Sequence, residues 1–178
     1  WRGNVDFGDV NSTLVSLRAA ESPPDDVYYY GLLAPATSRS AYCGGSCVTG
    51  QSFVVSDPDD ARIRVGSGLG FSGEATAGTL QHELGHIHGR SHAPCSTSSG
   101  VDRDYPYSGG QIGVWGWDRL GDVSHPPTAP DVMGCCDDRW ISDYTYRGLF
   151  ERHLAIQRLV TTASRGWIAP QPLRFVRV

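Results

Sequence analysis

Lysine is absent from this chain of 178 residues, and all fifteen basic residues are arginine. The simplest explanation is a codon bias towards arginine. No apolar run approaches the length of a membrane-spanning helix, so we expect no membrane span. The formal net charge is −4 and there is no basic run, which gives no reason to expect binding to nucleic acid or to a membrane surface.

The chain also lacks any pair of cysteines separated by two residues, which argues against a zinc site built from cysteine. In a secreted protein, five cysteines would give two disulfides and one free thiol. We expect Cys43 to pair with Cys47 across a glycine-rich loop and Cys95 to pair with Cys136, which leaves Cys135 free. Other connectivities are compatible with the spacing.

With 39% apolar and 19% charged residues, the composition is that of a globular protein. The length suits one domain over residues 1–178, in which 166–178 form a tail or begin a following domain. The chain starts at Trp1 without a leader, so we expect a processed or excised fragment.

Hydrophobic periodicity and turn residues predict an α+β fold. Val10, Leu14 and Leu17 recur at helical spacing, and Ser142 is a candidate N-cap. A long irregular segment rich in Gly, Pro, Ser and Asp, residues 93–132, is expected to be functional. Helices are predicted over 10–21, 74–88 and 142–163, and strands over 27–34, 52–56, 62–65, 167–169 and 173–178.

Residues 82–92 read His-Glu-Leu-Gly-His-Ile-His-Gly-Arg-Ser-His. His82 and His86 are four residues apart, so on a helix they lie on one face and can reach the same metal ion. Neutral imidazoles suit zinc. Glu83 lies one step round the helix, where it can touch a water on that ion without binding the metal itself.

Gly89 can end the helix sharply, because glycine tolerates positive φ, and the chain can then present His92 from another direction. Three protein ligands leave the fourth zinc position to water, and zinc lowers the pKa of such a water to about 7. Glu83 could take its proton as general base and later deliver it to the leaving amine. The alternative is an ordinary helix with surface histidines, and His88 is expected to face away from the metal.

The pattern His82-Glu83-x-x-His86-x-x-Gly89-x-x-His92 resembles the zinc signature of the metzincin metalloproteases. Met133, the only methionine, resembles the Met-turn residue, which implies an apolar floor beneath the three histidines; the alternative is a core filler.

Cys135 stands where some metzincins have a tyrosine, so it could be a fifth ligand, a redox-sensitive modulator or a buried thiol. Ala93, which follows His92, matches none of the astacin, reprolysin, matrixin or serralysin signatures.

The resemblance also implies a two-lobed body. The upper lobe, about residues 1–92, would hold a twisted mixed sheet with a backing helix and the zinc helix. The lower lobe, about 93–165, would be irregular and end in a long helix. Residues 62–68 would form the exposed sheet edge with which an extended peptide pairs. Residues 136–140 would line the pocket for the residue after the cut.

Several smaller signals have alternative interpretations. A phenol that replaces the missing tyrosine could come from Tyr144 or Tyr146. His125 could assist catalysis, although a surface role is favoured. The aromatic residues of the irregular segment are expected in the lower-lobe core rather than on a substrate-facing rim: Tyr105, Tyr107, Trp115 and Trp117. Three acidic groups could bind calcium, although solvated turns are favoured: Asp57/Asp59/Asp60, Asp102/Asp104 and Asp137/Asp138.

Together these features predict a secreted, monomeric zinc endopeptidase that binds protein or peptide in extended form, with a pro-segment or inhibitor as a further partner. A preference for cleavage at lysine is a second explanation for the missing lysines. The alternatives are a zinc amidase acting on a non-protein amide or cell-wall peptide, and a non-catalytic zinc-containing module that binds peptides.

Overall fold

The computed structural model describes residues 5–45, 47–95, 99–134 and 138–163. Within them the chain forms a mixed α/β structure, compatible with the predicted α+β class. Short 3-10 turns occur at Ala61–Ile63 and Ser108–Gly110. The helices are α1 (Phe7–Glu21), α2 (Arg39–Cys43), α3 (Glu74–Ile87) and α4 (Asp143–Ala163), and the strands are β1 (Tyr29–Leu33), β2 (Gly50–Ser52), β3 (Val65–Leu69), β4 (Gly116–Asp118) and β5 (Val123–His125).

The main sheet has the order β1-β3-β2, so the strand before α3 is central. β3 pairs in parallel with β1 and antiparallel with β2, and all five of its residues are buried. The prediction of a half-exposed strand over 62–65 and of an exposed edge over 62–68 is therefore wrong. The 3-10 turn at Ala61–Ile63 delays the strand until Val65, and β2 forms the edge instead.

Gly66 allows β3 to lie in the centre of the sheet, close to both β2 and α3. A Cβ at Gly66 would lie 3.0 Å from Ser52 Cβ in β2 and 2.9 Å from Ile87 Cδ1 in α3. Both distances are too short for an ordinary contact, so a side chain here would push the sheet away from α3. The glycine thus brings the edge strand β2 and the helix α3 close together.

Helix α1 packs against the sheet with an unexpectedly polar inner face. Val10 and Leu14 lie against the sheet near Gly31, but Leu17 is 42% exposed, so the predicted apolar stripe is wrong at that residue. Asn11 and Arg18 are buried there instead. They are tolerated because their polar atoms have partners: Asn11 Nδ2 donates to Gln51 O at 3.0 Å, and Arg18 Nε donates to Ala61 O at 2.6 Å.

The segment expected to be irregular contains an antiparallel hairpin, β4 and β5, which the sequence analysis missed. Trp115 and Trp117 are 71% and 57% exposed, so their predicted place in a lower core is wrong. Tyr105 and Tyr107 do pack together, with ring centroids 6.0 Å apart. His125 lies in β5 and stacks on Trp140, with ring centroids 4.0 Å apart.

The disulfide between Cys43 and Cys47 is confirmed. Cys95 is also disulfide-bonded, whereas its expected partner Cys136 and the expected free thiol Cys135 lie outside the described residues. The strands expected at 167–169 and 173–178 lie outside them as well. Among the described residues, no helix is both long and apolar enough to cross a membrane.

Candidate metal centre

Three histidines from two parts of the chain meet in one cluster. His82 and His86 project from α3, and His92 lies in the segment that follows the helix. One ligand atom from each residue lies within 4.8 Å of the others, and His86 Nε2 is 3.1 Å from His92 Nε2. Nitrogen ligands on a tetrahedral zinc ion, with Zn–N bonds of about 2.0–2.1 Å, lie roughly 3.4 Å apart. The cluster therefore has a spacing that suits a single zinc ion.

Each imidazole has its other nitrogen against a backbone carbonyl. Nδ1 of His82 is 2.9 Å from the carbonyl oxygen of Val132, and Nδ1 of His86 is 2.6 Å from that of Arg90. Nδ1 of His92 is 2.6 Å from the carbonyl oxygen of Ser99. Because a carbonyl can only accept, each Nδ1 carries the proton, which leaves the Nε2 lone pair free for a metal.

Burial favours the neutral form of the two helical imidazoles. It lowers the pKa of His82 to about 4, and it also lowers the pKa of His86. For both residues the hydrogen bond to the backbone carbonyl acts in the opposite direction but is weaker. Both rings are therefore neutral at pH 7, each with a single N–H at Nδ1, as a metal ligand must be.

Gly89 provides the turn that brings His92 back to the helix. Its φ is +81°, and its N–H donates to the carbonyl of His86 at 2.8 Å. A Cβ here would lie 2.9 Å from the carbonyl oxygen of Val55 and would also contact the Arg152 guanidinium. The position thus requires glycine twice, for its backbone conformation and for the space around it.

Glu83 is buried beside the histidines and shares with them a cleft of about 300 Å³. Burial raises the pKa of its carboxyl to about 7, although a hydrogen bond from Ser52 and the positive charge of Arg139 oppose this shift. Gly50 makes room for the side chain, since a Cβ there would lie 3.0 Å from Glu83 Cγ. The cleft is lined by Gln51, Ser52, Val54, His82, Glu83, His86, His92, Ser99 and Gly100.

Met133 lies in a tight turn that contacts both parts of the cluster. The turn is closed by Gly134 N–H, which donates to Asp131 O at 2.8 Å. The Met133 side chain is buried and packs on Gly85 of α3, where a Cβ would collide with its sulfur. Its carbonyl accepts from Ala93 N–H at 3.0 Å, next to His92. The turn therefore contacts both α3 and the segment that carries His92.

Asp131 organises this turn, and the sequence analysis missed it. Its carboxylate is fully buried: Oδ1 accepts from Met133 N–H at 2.7 Å and from the Thr145 hydroxyl at 3.1 Å. Oδ2 accepts from Ser142 N–H at 2.9 Å. Ser142 caps α4 through Thr145 N–H, as predicted, so Asp131 binds the amino end of that helix. An aspartate two residues before the only methionine was the available signal.

A second, half-buried group connects the two backbone segments that orient His86 and His92. Arg90 Nη2 lies 3.2 Å from Asp102 Oδ2, and the same oxygen accepts from the Tyr144 hydroxyl at 3.0 Å. The Arg90 guanidinium also lies over the Tyr144 ring, 4.8 Å from its centroid. Arg90 supplies the carbonyl for His86, and Asp102 N–H donates to the carbonyl of His92 at 2.8 Å.

A family model described as Peptidase M66 matches residues 21–137, which is more than half of the chain and includes the histidine motif and Met133. The chain belongs to the Peptidase M66 family. This is a family of metallopeptidases, so the M66 chain is a peptidase, and its three-histidine cluster is compatible with zinc. No curated protein and no solved structure matches the chain.

Several other predictions for this M66 chain have outcomes in the same region. His88 stacks on Tyr28 with centroids 4.8 Å apart, away from the cluster, as expected. The Tyr144 hydroxyl is bonded to Asp102 and Tyr146 is exposed, so neither phenol lines the cleft. Calcium receives no support, because the histidine cluster is the one group of three or more metal-binding side chains found in the part of the chain that the structure describes.

Proposed function

We propose that this M66 chain is a zinc-dependent endopeptidase in which His82, His86 and His92 bind the ion and Glu83 is the general base. The observation that carries the proposal is the cluster of three imidazoles, in which one ligand atom of each residue lies within 4.8 Å of the others and each Nδ1 is held by a carbonyl. A buried carboxylate lines the same cleft. A structural metal site would have no use for that carboxylate and would be closed by a fourth protein ligand, whereas the cluster found among the described residues has three.

Zinc bound there would polarise a peptide carbonyl and lower the pKa of a water molecule beside it to about 7. Glu83 would accept the proton that this water loses as it attacks the carbonyl carbon. The same carboxyl would then donate that proton to the leaving nitrogen as the C–N bond breaks. Burial supports both steps, because a carboxyl with a pKa near neutrality can accept a proton and release it again.

The substrate would bind in extended form along β2, which replaces the segment 62–68 as the pairing edge. Within the described residues β2 pairs with β3 alone, and its residues Gln51 and Ser52 line the cleft beside Glu83. An edge strand offers free backbone groups for an added strand.

The arrangement also supports membership of the metzincin clan. A positive-φ glycine follows the end of α3, a third histidine comes next, and a buried methionine lies in a tight turn against the helix. In this interpretation Met133 is the Met-turn residue beneath the histidines. Secretion fits the disulfide between Cys43 and Cys47, because such bonds persist in oxidising compartments.

The test replaces Glu83 by glutamine, which keeps the shape of the side chain and removes the base. We expect unchanged zinc content and a loss of peptide hydrolysis of about 10³-fold. Glu74→Gln, in the exposed first turn of the same helix, is the matched control and should retain activity. Cleavage of a mixed-sequence peptide library by the zinc-loaded protein gives the measurement, and its lysine-containing members show whether cleavage favours lysine. Full activity of the Glu83→Gln variant would contradict the proposed mechanism, whereas a wild-type protein that cuts no peptide would favour an amidase or a binding module.

A further inference from the structure

Ser52 makes a hydrogen bond that the zinc-peptidase chemistry does not by itself require. Its Oγ lies 2.7 Å from Oε2 of Glu83 and 3.0 Å from the main-chain carbonyl oxygen of the same residue. Ser52 is the last residue of the edge strand β2, and Glu83 lies in α3, thirty-one residues further along the chain. The contact therefore joins the proposed substrate edge to the proposed base.

The hydroxyl has one proton and two acceptors within reach. A charged carboxylate oxygen is a stronger acceptor than a carbonyl, so the proton lies towards Oε2 when Glu83 is ionised. Among the described residues Oε1 has no hydrogen-bond donor, and it lies beside Gly50, where a Cβ would approach it to 3.0 Å. The contact thus distinguishes the two carboxylate oxygens, because one is held by the protein and the other stays available for a proton from the reacting water.

The surrounding residues keep the hydroxyl in this position. Gly66 lies beside Ser52 in the sheet, and a Cβ there would approach Ser52 Cβ to 3.0 Å. On the other side, Gly50 allows β2 to lie directly over the Glu83 side chain. Two glycines therefore bring the strand close enough to α3 for a short serine side chain to reach the carboxylate.

We propose that Ser52 is a positioning residue that fixes Oε2 of Glu83 and leaves Oε1 to exchange the proton during catalysis. This inference rests on the proposed function, since it assigns Ser52 a role through the general base. The hydroxyl does not touch the scissile bond. Its loss should therefore reduce the rate of the chemical step and leave the binding of an extended peptide to the strand backbone unchanged.

The experiment compares Ser52→Ala with Ser52→Thr in the zinc-loaded protein, with a cleavable peptide as substrate. A hydrogen bond to a charged group is typically strong enough that we expect kcat to fall about tenfold in Ser52→Ala, with KM unchanged. Ser52→Thr keeps the hydroxyl and suits a strand, so it should recover most of the rate. Zinc content and the thermal unfolding midpoint are measured for each variant.

Thr49→Val is the matched structural control. Thr49 Oγ1 accepts a hydrogen bond from Thr79 Oγ1 at 3.2 Å, which joins the same part of the chain to α3 one turn before Glu83. Its loss should change stability slightly and leave kcat unaltered. A similar fall in kcat for Thr49→Val and Ser52→Ala would overturn the proposal, as would an unchanged kcat in Ser52→Ala or an equal loss in Ser52→Ala and Ser52→Thr.

These outcomes are separate from a failure of the proposed function. If the wild-type protein shows no zinc-dependent cleavage, or if Glu83→Gln is fully active, the general-base assignment fails and the role of Ser52 fails with it. If Glu83→Gln is inactive while Ser52→Ala matches the wild type, the peptidase mechanism stands and only the positioning role is overturned.

Discussion

His82 and His86 project from one face of α3, whereas His92 lies in the segment after the helix, without a helix or a sheet to hold it. The helical pair is placed by the hydrogen bonds of the helix itself, four residues apart. His92 is placed by the loop that follows it, through backbone bonds to Gly100 and Asp102, and by the turn at Met133, whose carbonyl accepts from the neighbouring Ala93 N–H. The comparison shows that two of the three histidines are placed by the helix, whereas the third depends on contacts outside it.

The largest expected effect comes from removal of the metal, which should affect the His92 segment more than the helix that carries His82 and His86. A chelator should abolish peptide cleavage, and readdition of zinc should restore it. Amide hydrogen exchange should rise most at His92 and Asp102, whose N–H groups bond across the segment, and least within α3. An equal rise in amide exchange in α3 and in the His92 segment would contradict the distinction between them.

Asp131→Asn should have the next largest effect. The amide has a single acceptor oxygen, so its NH2 group must face either Met133 N–H or Ser142 N–H, both of which the carboxylate now accepts. We expect the free energy of unfolding to fall by about 2–3 kcal/mol and zinc to bind more weakly. Urea denaturation and zinc titration provide the measurements.

Asp143→Asn is the control for charge at the same helix end. Asp143 is exposed in the first turn of α4 and accepts from the Tyr107 hydroxyl at 2.6 Å. Its substitution should cost less than about 1 kcal/mol, because the macrodipole effect at an exposed position is small. If the two variants lose equal stability, the buried turn has no special role in holding the centre.

Gly89→Ala tests the turn between α3 and the segment that carries His92. Alanine at a positive φ costs about 1–2 kcal/mol, and here its Cβ would also meet the carbonyl of Val55. Gly109→Ala is the matched control, because φ is +64° there and no atom lies within 4 Å of the added Cβ. We expect Gly89→Ala to lose more stability and zinc affinity than Gly109→Ala, as measured by denaturation and zinc titration.

The smallest expected effect is that of Tyr144→Phe, which removes the hydroxyl bonded to Asp102 and keeps the ring over Arg90. The free energy of unfolding should fall by about 1 kcal/mol, as is typical for one hydrogen bond. Tyr146→Phe, on an exposed neighbour in the same helix, should change it by less than about 0.5 kcal/mol. A loss in Tyr146→Phe as large as in Tyr144→Phe would contradict the role of the Arg90–Asp102–Tyr144 group.

The sequence predicted the parts of the fold whose signals are local. The helix over 74–88 appears as Glu74–Ile87, and the glycine expected to end it has positive φ. The order of the strands in the sheet could not be predicted from local sequence signals. Whether β3 lies at an edge or in the centre depends on which strands pair with it, and the exchange with β2 moved the proposed substrate edge from 62–68 to Gly50–Ser52.

The candidate site shows the same division. His82, Glu83, His86 and His92 could be identified because their spacing alone matches a helix followed by a turn. Asp131 and Ser52 could not, since an aspartate two residues before a methionine is a weak signal and a single serine has no pattern around it. Their importance comes from contacts across eleven and thirty-one residues of sequence, which bring a buried carboxylate to the end of α4 and a hydroxyl to Glu83.

The sequence by itself determined which histidines can meet in one cluster and which carboxyl lies beside them, because helical periodicity and a glycine turn are properties of short segments. Only the tertiary structure decided how those side chains are held. The carbonyls that fix the three Nδ1 atoms come from Arg90, Ser99 and Val132, and their positions depend on how the chain folds back on α3. The backbone of any residue can supply such a carbonyl, so no residue type marks it in advance.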